Sequence, residues 1–251
     1  MKLADKVKAL IDSGVAPILL QYEPVRFFSS AETILRSHLV VNSLELGTLT
    51  MREYRFVARR TKQGDHLVER HLLKLCREIP ALLAENPSVT AVTVPAYARL
   101  LRDGFLAKTV LEILSFFPEV SPATLCIELS ADILYEDMEE AAGRIAELRS
   151  IGVKVAISEV GDEFCPVFRL TATPFDYAFL DRYATDSLLG EGAERIAGSL
   201  VGFLHYIKVK VIAPRLEAEG QIAMAEAVGC DGYTVGALPM PEEVTADARY
   251  G

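Results

Sequence analysis

The sequence predicts an α/β protein of the (β/α)8-barrel type, and three observations predict it. The second half of the chain alternates short apolar, β-branched runs with helical runs across short connections, and strands joined through a helix must lie parallel. A chain of 251 residues suits one domain of this kind. No glycine-rich phosphate loop of either common type is present, which places an open, doubly wound nucleotide-binding sheet second.

The elements follow in order. Residues 3–12 carry an amphipathic helical pattern ending at Ser13-Gly14. Residues 16–22 are an apolar strand, and residues 31–46 are mostly extended because Ile34, Leu35, Leu39, Val40 and Val41 supply β-forming side chains. Thr50 with Glu53 three residues on is a capping box, so a helix runs over residues 51–60. Leu67, His71, Leu75 and Ile79 share one stripe of a helix over residues 66–83. A strand over 89–94 is expected to stop at Pro95, followed by helical segments at 97–103 and 107–116. Strands at 124–129, 153–157, 177–180, 209–213 and 232–235 then alternate with helices at 137–148, 194–206 and 216–228. Residues 1–15 are read as an N-terminal helical segment, 16–245 as one barrel domain, and 246–251 as a loosely held tail.

Composition bounds the function. A net charge of −9 repels a polyanion, so no nucleic-acid partner is expected. No apolar run is long enough to span a bilayer, so no membrane partner is expected either. The N-terminus lacks the apolar core of a secretion signal, and a cytoplasmic location is the expectation. Cys76, Cys126, Cys165 and Cys230 are widely spaced, without a Cys-x-x-Cys pair, and are read as reduced thiols. The stretch Lys154-Val-Ala-Ile-Ser158-Glu159-Val-Gly161 ends a buried strand with polar residues and a glycine turn. In parallel α/β proteins that end of a strand carries the chemistry.

Several segments carry a resemblance. Residues 211–221, VIAPRLEAEGQ, followed by Gly229-Cys-Asp231-Gly-Tyr, resemble the A-E-G-V-E-T-x-x-Q and G-C-D-x-x-Q-G-Y patterns of the EAL family of cyclic di-GMP phosphodiesterases. In the same order along the chain, Ala31-Glu32-Thr33-Ile34-Leu35-Arg36 is similar to the signature A-E-A-L-L-R, and Glu23-Pro24-Val25 to Q-P-I. Ile127-Glu128-Leu129-Ser130 is similar to the E-L-T-E segment, Ser158-Glu159-Val160-Gly161 to D-D-F-G, and residues 175–182 to V-D-Y-L-K-I-D-R. The resemblance implies a modified (β/α)8 barrel with one antiparallel strand. It also implies hydrolysis of one phosphodiester bond by Mg²⁺ or Mn²⁺ held on oxygen ligands, as a charged, poorly electrophilic phosphodiester requires.

Carried onto this chain, the resemblance keeps some of those groups and loses others. Glu32, Glu128 and Glu159 stand at carboxylate positions, and the resemblance implies that together they hold a metal weakly or not at all. The shared aspartate falls at Ser158, the ligand asparagine at Pro95, the lysine beside the catalytic water at Phe179, the A-E-G glutamate at Pro214, and the last glutamine near Thr234. Glu217 and Asp181 persist, and Arg36 and Glu23 stand at positions that face the nucleotide in the family. The expectation is therefore a vestigial site with no catalytic residues and no resident cofactor. The function expected is a catalytically inactive regulatory module that binds a protein partner in cyclic di-GMP-related signalling, with a non-hydrolysing cyclic di-GMP receptor as the first alternative, a divalent-metal-dependent cyclic di-GMP phosphodiesterase as the second, and a homodimer allowed by the resemblance.

Overall fold

The computed structural model describes residues 3–12, 17–43, 45–60, 63–162, 165–186 and 192–236. The tail at 246–251 lies outside the described residues. The elements are α1 (Leu3–Asp12), β1 (Ile18–Phe27), β2 (Thr33–Ser43), β3 (Gly47–Leu49), α2 (Met51–Arg60), α3 (Gln63–Glu85), β4 (Val89–Ala96), α4 (Ala98–Arg102) and α5 (Phe105–Phe116). They continue with β5 (Leu125–Ser130), α6 (Met138–Ser150), β6 (Lys154–Val160), β7 (Tyr177–Leu180), α7 (Arg182–Asp186), α8 (Ala193–Tyr206), β8 (Lys210–Leu216), α9 (Glu219–Ala227) and β9 (Gly232–Val235).

The strands pair in the order β1-β9-β8-β7-β6-β5-β4-β2, and β1 pairs back onto β2 to close a barrel; β3 is a short addition beside β2. β1 is antiparallel to both neighbours, β2 and β9. Every other barrel pairing is parallel. Closure against β9 needs a residue without a side chain, because a Cβ on Gly232 would lie 2.7 Å from the backbone oxygen of Arg26.

Several boundaries differ from expectation. Pro95 does not stop β4, which continues to Ala96. Pairing of β4 with β2 ends at Arg36–Thr93, while pairing with β5 continues through Pro95–Glu128. The missing N–H of Pro95 thus falls where β2 no longer asks for one. Leu216 closes β8 rather than opening α9. The extended region at 31–46 is a strand that turns at residues 45–46 into the separate β3.

Two apolar layers follow from the two-residue period of each strand. Alternate residues such as Leu35, Leu39, Val92, Val94, Ile127 and Val155 face the helices. Their neighbours, Val25, Ile34, Ala91, Cys126, Ala156, Tyr177 and Ile212, fill the barrel interior. One two-residue step toward the C-terminal end of the parallel strands converts that apolar floor into Arg36, Thr93, Glu128, Ser158, Phe179 and Pro214. On antiparallel β1 the same step runs backward along the chain and gives Glu23. No described helix is long and apolar enough to cross a membrane.

Candidate functional site

A cavity of about 260 Å³ opens at the C-terminal ends of the parallel strands. Arg36, His38, Pro95, Glu128, Ser158, Glu159, Phe179, Asp181 and Pro214 line it, with Arg55 of α2, Arg182 at the start of α7 and Arg215 near the end of β8. Two irregularities shape the rim. The β6–β7 register shifts between Ile157 and Val160, and the β8–β9 register shifts between Ala213 and Leu216. Glu159 and Arg215 sit at these bulges with left-handed φ of 64° and 58°, a conformation that L side chains adopt only under local constraint. Glu159 is thereby turned toward the rim, where its carboxylate accepts from Arg55 Nη1 at 2.9 Å. Ser158 Oγ donates to the Leu129 carbonyl at 3.4 Å, and Asp181 Oδ1 accepts from the N–H of Tyr183 at 2.7 Å.

The floor of the cavity is a charged network centred on Arg36. Arg36 Nη2 donates to Glu128 Oε1 at 2.6 Å and Nε to Glu128 Oε2 at 3.1 Å, a two-pronged grip. Nη1 donates to Glu23 Oε2 at 3.4 Å. The Phe179 ring covers the guanidinium, with its centroid 4.2 Å from Cζ. The remaining oxygens are occupied too. Thr93 Oγ1 donates to Glu128 Oε2 at 3.2 Å, Thr234 Oγ1 donates to Glu23 Oε1 at 2.7 Å, and His38 Nε2 lies 3.1 Å from Glu23 Oε2. Glu23, Arg36 and Glu128 are all buried. Burial pushes the Glu23 carboxyl up, but the His38 hydrogen bond, the charges of Arg36 and His38, and the Thr234 hydroxyl bring it down to about 2. Glu128 is likewise raised by burial, and Arg36 reverses this by charge and hydrogen bond, holding the carboxyl below its usual range. Burial lowers the Arg36 guanidinium, and Glu128 more than offsets that, leaving it firmly protonated.

The expected grouping of Glu32 with Glu128 and Glu159 does not form. Glu32 is exposed and immediately precedes β2, at the end of the barrel opposite the cavity, close enough to Tyr177 at the start of β7 to act on its phenol. Since β2 runs parallel to β4 in the register Arg36–Thr93, the level of Pro95 and Glu128 is reached on β2 two residues past Arg36, at His38. The string Ala31–Arg36 therefore matches the family signature in letters and not in position. Arg36 and Glu23 lie at the cavity floor, but their donors and acceptors are turned on each other and on Glu128. Thr234 is buried behind Glu23, and Glu217 is exposed, donating its backbone N–H to Gln221 Oε1 at 2.8 Å. His38, Thr93, Arg55 and Arg215 were not singled out by sequence. For His38 a signal existed, because it shares the inward face of β2 with Ile34 and Arg36. Among the described residues, no group of three or more His, Cys, Asp or Glu side chains is arranged to hold a metal ion.

A second histidine supports the site from behind. His71 of α3 is buried, with Nε2 2.6 Å from Ser37 Oγ. That hydroxyl spends its proton on the Thr93 carbonyl, so His71 Nε2–H is the donor to it. Burial, with help from the charge of His38, pulls the His71 pKa from 6.5 down to about 3. Between those values the unfolded chain binds a proton that the folded chain refuses, so stability falls as the pH falls through that range. His71→Gln is expected to flatten the loss of stability on mild acidification, measured as urea midpoints across the same pH range.

The fold and the cavity define a modified β/α barrel with one reversed strand and a polar pocket at the C-terminal rim. The sequence model of the EAL domain family matches residues 18–234, and the chain belongs to that family. An uncharacterised signalling protein of Caulobacter vibrioides is 26% identical over 163 residues, covering 63% of this chain and 19% of its own length. A cyclic di-GMP phosphodiesterase of Pseudomonas aeruginosa is 23% identical over 172 residues, covering 67% of this chain and 28% of its own length. The chain thus spans less than a third of the length of either relative. The solved structure of the phosphodiesterase PaMucR in complex with cyclic di-GMP superimposes with a TM-score of 0.81 at 18% identity, covering 96% of this chain and 98% of that one.

Proposed function

We propose that this barrel is a non-hydrolysing EAL module that regulates by binding a protein partner, in signalling linked to cyclic di-GMP. The observation that carries the reading is the two-pronged grip of Arg36 on Glu128. A two-metal hydrolase needs free carboxylate oxygens at this level of the barrel. Here the Glu128 oxygens accept from a guanidinium and a threonine hydroxyl. Pro95, Pro214, Phe179 and Ser158 in the same cavity offer no carboxylate or amide oxygen from their side chains; the carboxylates left on the rim are Glu159, which accepts from Arg55, and Asp181, which accepts from the Tyr183 N–H. Mg²⁺ or Mn²⁺ bound in such a barrel would screen the phosphodiester and activate a water. The residues present do not fit that role, and no catalytic step is assigned to them.

A second reading is a receptor that binds cyclic di-GMP without cutting it. Arg182 and Arg215 at the cavity mouth favour it, as does the PaMucR complex with that nucleotide. Against it stand the cavity volume of about 260 Å³, below the ~300–1,000 Å³ of typical small-molecule sites, and the carboxylates that offset Arg36. Calorimetric titration with cyclic di-GMP, with and without Mg²⁺, separates the readings. The expected result is no micromolar binding and no linear dinucleotide in Mn²⁺. Micromolar binding without turnover moves the assignment to the receptor, and turnover overturns both.

A further inference from the structure

We infer that Arg36 is the resident cation of this barrel: its guanidinium takes the place between Glu128 and Glu23 that a divalent ion would need, and its removal frees these two carboxylates, which as they stand form no metal site, to rearrange around a divalent ion. The inference deepens the proposed function and rests on its reading of the site as non-hydrolytic. Three observations carry it. First, the four oxygens of Glu23 and Glu128 all accept hydrogen bonds, three of them from Arg36. An oxygen-seeking divalent ion needs direct coordination at roughly 2.0–2.6 Å, and each of these oxygens already accepts from at least one donor. Second, one guanidinium already cancels one of the two carboxylate charges, so a single net negative charge is left to attract a further cation. A divalent ion added beside a fixed, buried guanidinium meets like-charge repulsion in a low-dielectric setting. Third, Phe179 closes over the guanidinium, so the side chain cannot swing aside without exposing an apolar ring.

Removing Arg36 reverses each condition. The two carboxylates keep Thr93, Thr234 and His38 as neighbours. They lose the cation that bridges them, and two negative charges are then left without a counter-charge between them. Arg36→Gln is the first variant, because it is neutral and keeps a donor toward Glu128; Arg36→Met is the second.

The test is Mn²⁺ binding to the full chain, read by the free-ion electron paramagnetic resonance signal and by the thermal midpoint. Both variants are expected to bind Mn²⁺ at least about tenfold more tightly than wild type, in line with the cost of altering groups around a metal. Their thermal midpoints should rise with Mn²⁺ while that of wild type stays level. If a variant does not fold alone, recovery of a cooperative transition in Mn²⁺ supports the inference, and failure to recover overturns it. Equal Mn²⁺ affinity in wild type and variants also overturns it. Cyclic di-GMP turnover is assayed separately. Mn²⁺ bound by wild type without turnover sinks only the resident-cation inference, whereas turnover sinks the proposed function.

Discussion

Arg36→Met destabilises the barrel by about 3–5 kcal/mol at neutral pH, the usual cost of stripping one partner from a buried ion pair. The cost arises from Glu128, which loses both prongs of its grip, and from Glu23, which keeps only Thr234 and His38. Hydrophobic repacking against Phe179 recovers little, because the carboxylates remain buried and charged. The pH dependence identifies the mechanism. In wild type both carboxyls are held below their ordinary value of 4.5, Glu23 at about 2. Their contribution is full above pH 4.5 and is lost as the pH falls through the folded values. In Arg36→Met the main lowering influence on Glu128 is gone and burial raises that carboxyl, so acidification neutralises it and relieves the penalty. The gap between wild type and variant should narrow as the pH falls from 7 toward 4.5, read from urea midpoints at each pH. A pH-independent gap would assign the loss to packing instead. In the double variant Arg36→Met/Glu128→Gln the losses should fall short of additive by about 0.5–3 kcal/mol, the coupling typical of residues in direct contact.

This network marks the boundary between what the sequence discloses and what it conceals. The barrel was legible because alternation along each strand and the helical stripe of Leu67, Leu75 and Ile79 are local patterns dictated by burial. The antiparallel β1 was legible only through the resemblance, since a strand's direction is not written in its own residues. Pro95, Ser158, Phe179 and Pro214 line the cavity, because each sits toward the C-terminal end of a parallel strand. Glu32 was misplaced because its signature is a local string and its position depends on register. The β1–β2 hairpin pairs Glu23 with Arg36, and that pairing carries Arg36 and His38 to the cavity while leaving Glu32 at the far end. No local reading reports a register. The Arg36–Glu128 pair joins residues 92 positions apart, so its meaning appears only once β2, β4 and β5 are side by side.

Phe179→Lys, which restores the residue type that the family resemblance places on this strand, is expected to lower stability by several kcal/mol and to produce no turnover. Three effects add. The buried ring is lost, at about 1.5–3 kcal/mol. Its stacking on the Arg36 guanidinium is lost, at about 0.5–2 kcal/mol. A second cation is placed where a ring centroid now lies 4.2 Å from Arg36 Cζ. Burial and like charge both favour the neutral amine, so the new lysine's folded pKa falls below its unfolded value of about 10.4. In the window between the two, the unfolded chain holds the extra proton, and the variant gains stability as the pH rises. Its deficit relative to wild type should therefore shrink from neutral pH toward pH ~10. A deficit that grows with pH would mean that the lysine has found a carboxylate, such as Asp181 on the rim, and that the family arrangement survives behind Phe179. Phe179→Leu separates the terms, since it removes the ring and its stacking without adding charge, and should show a smaller deficit that does not vary with pH. The contrast between these two variants tests whether charge or the loss of the ring dominates the cost at this position. If Arg36 and Phe179 form one unit, as their contact implies, neither position accepts the family's residue type without cost while the other stays.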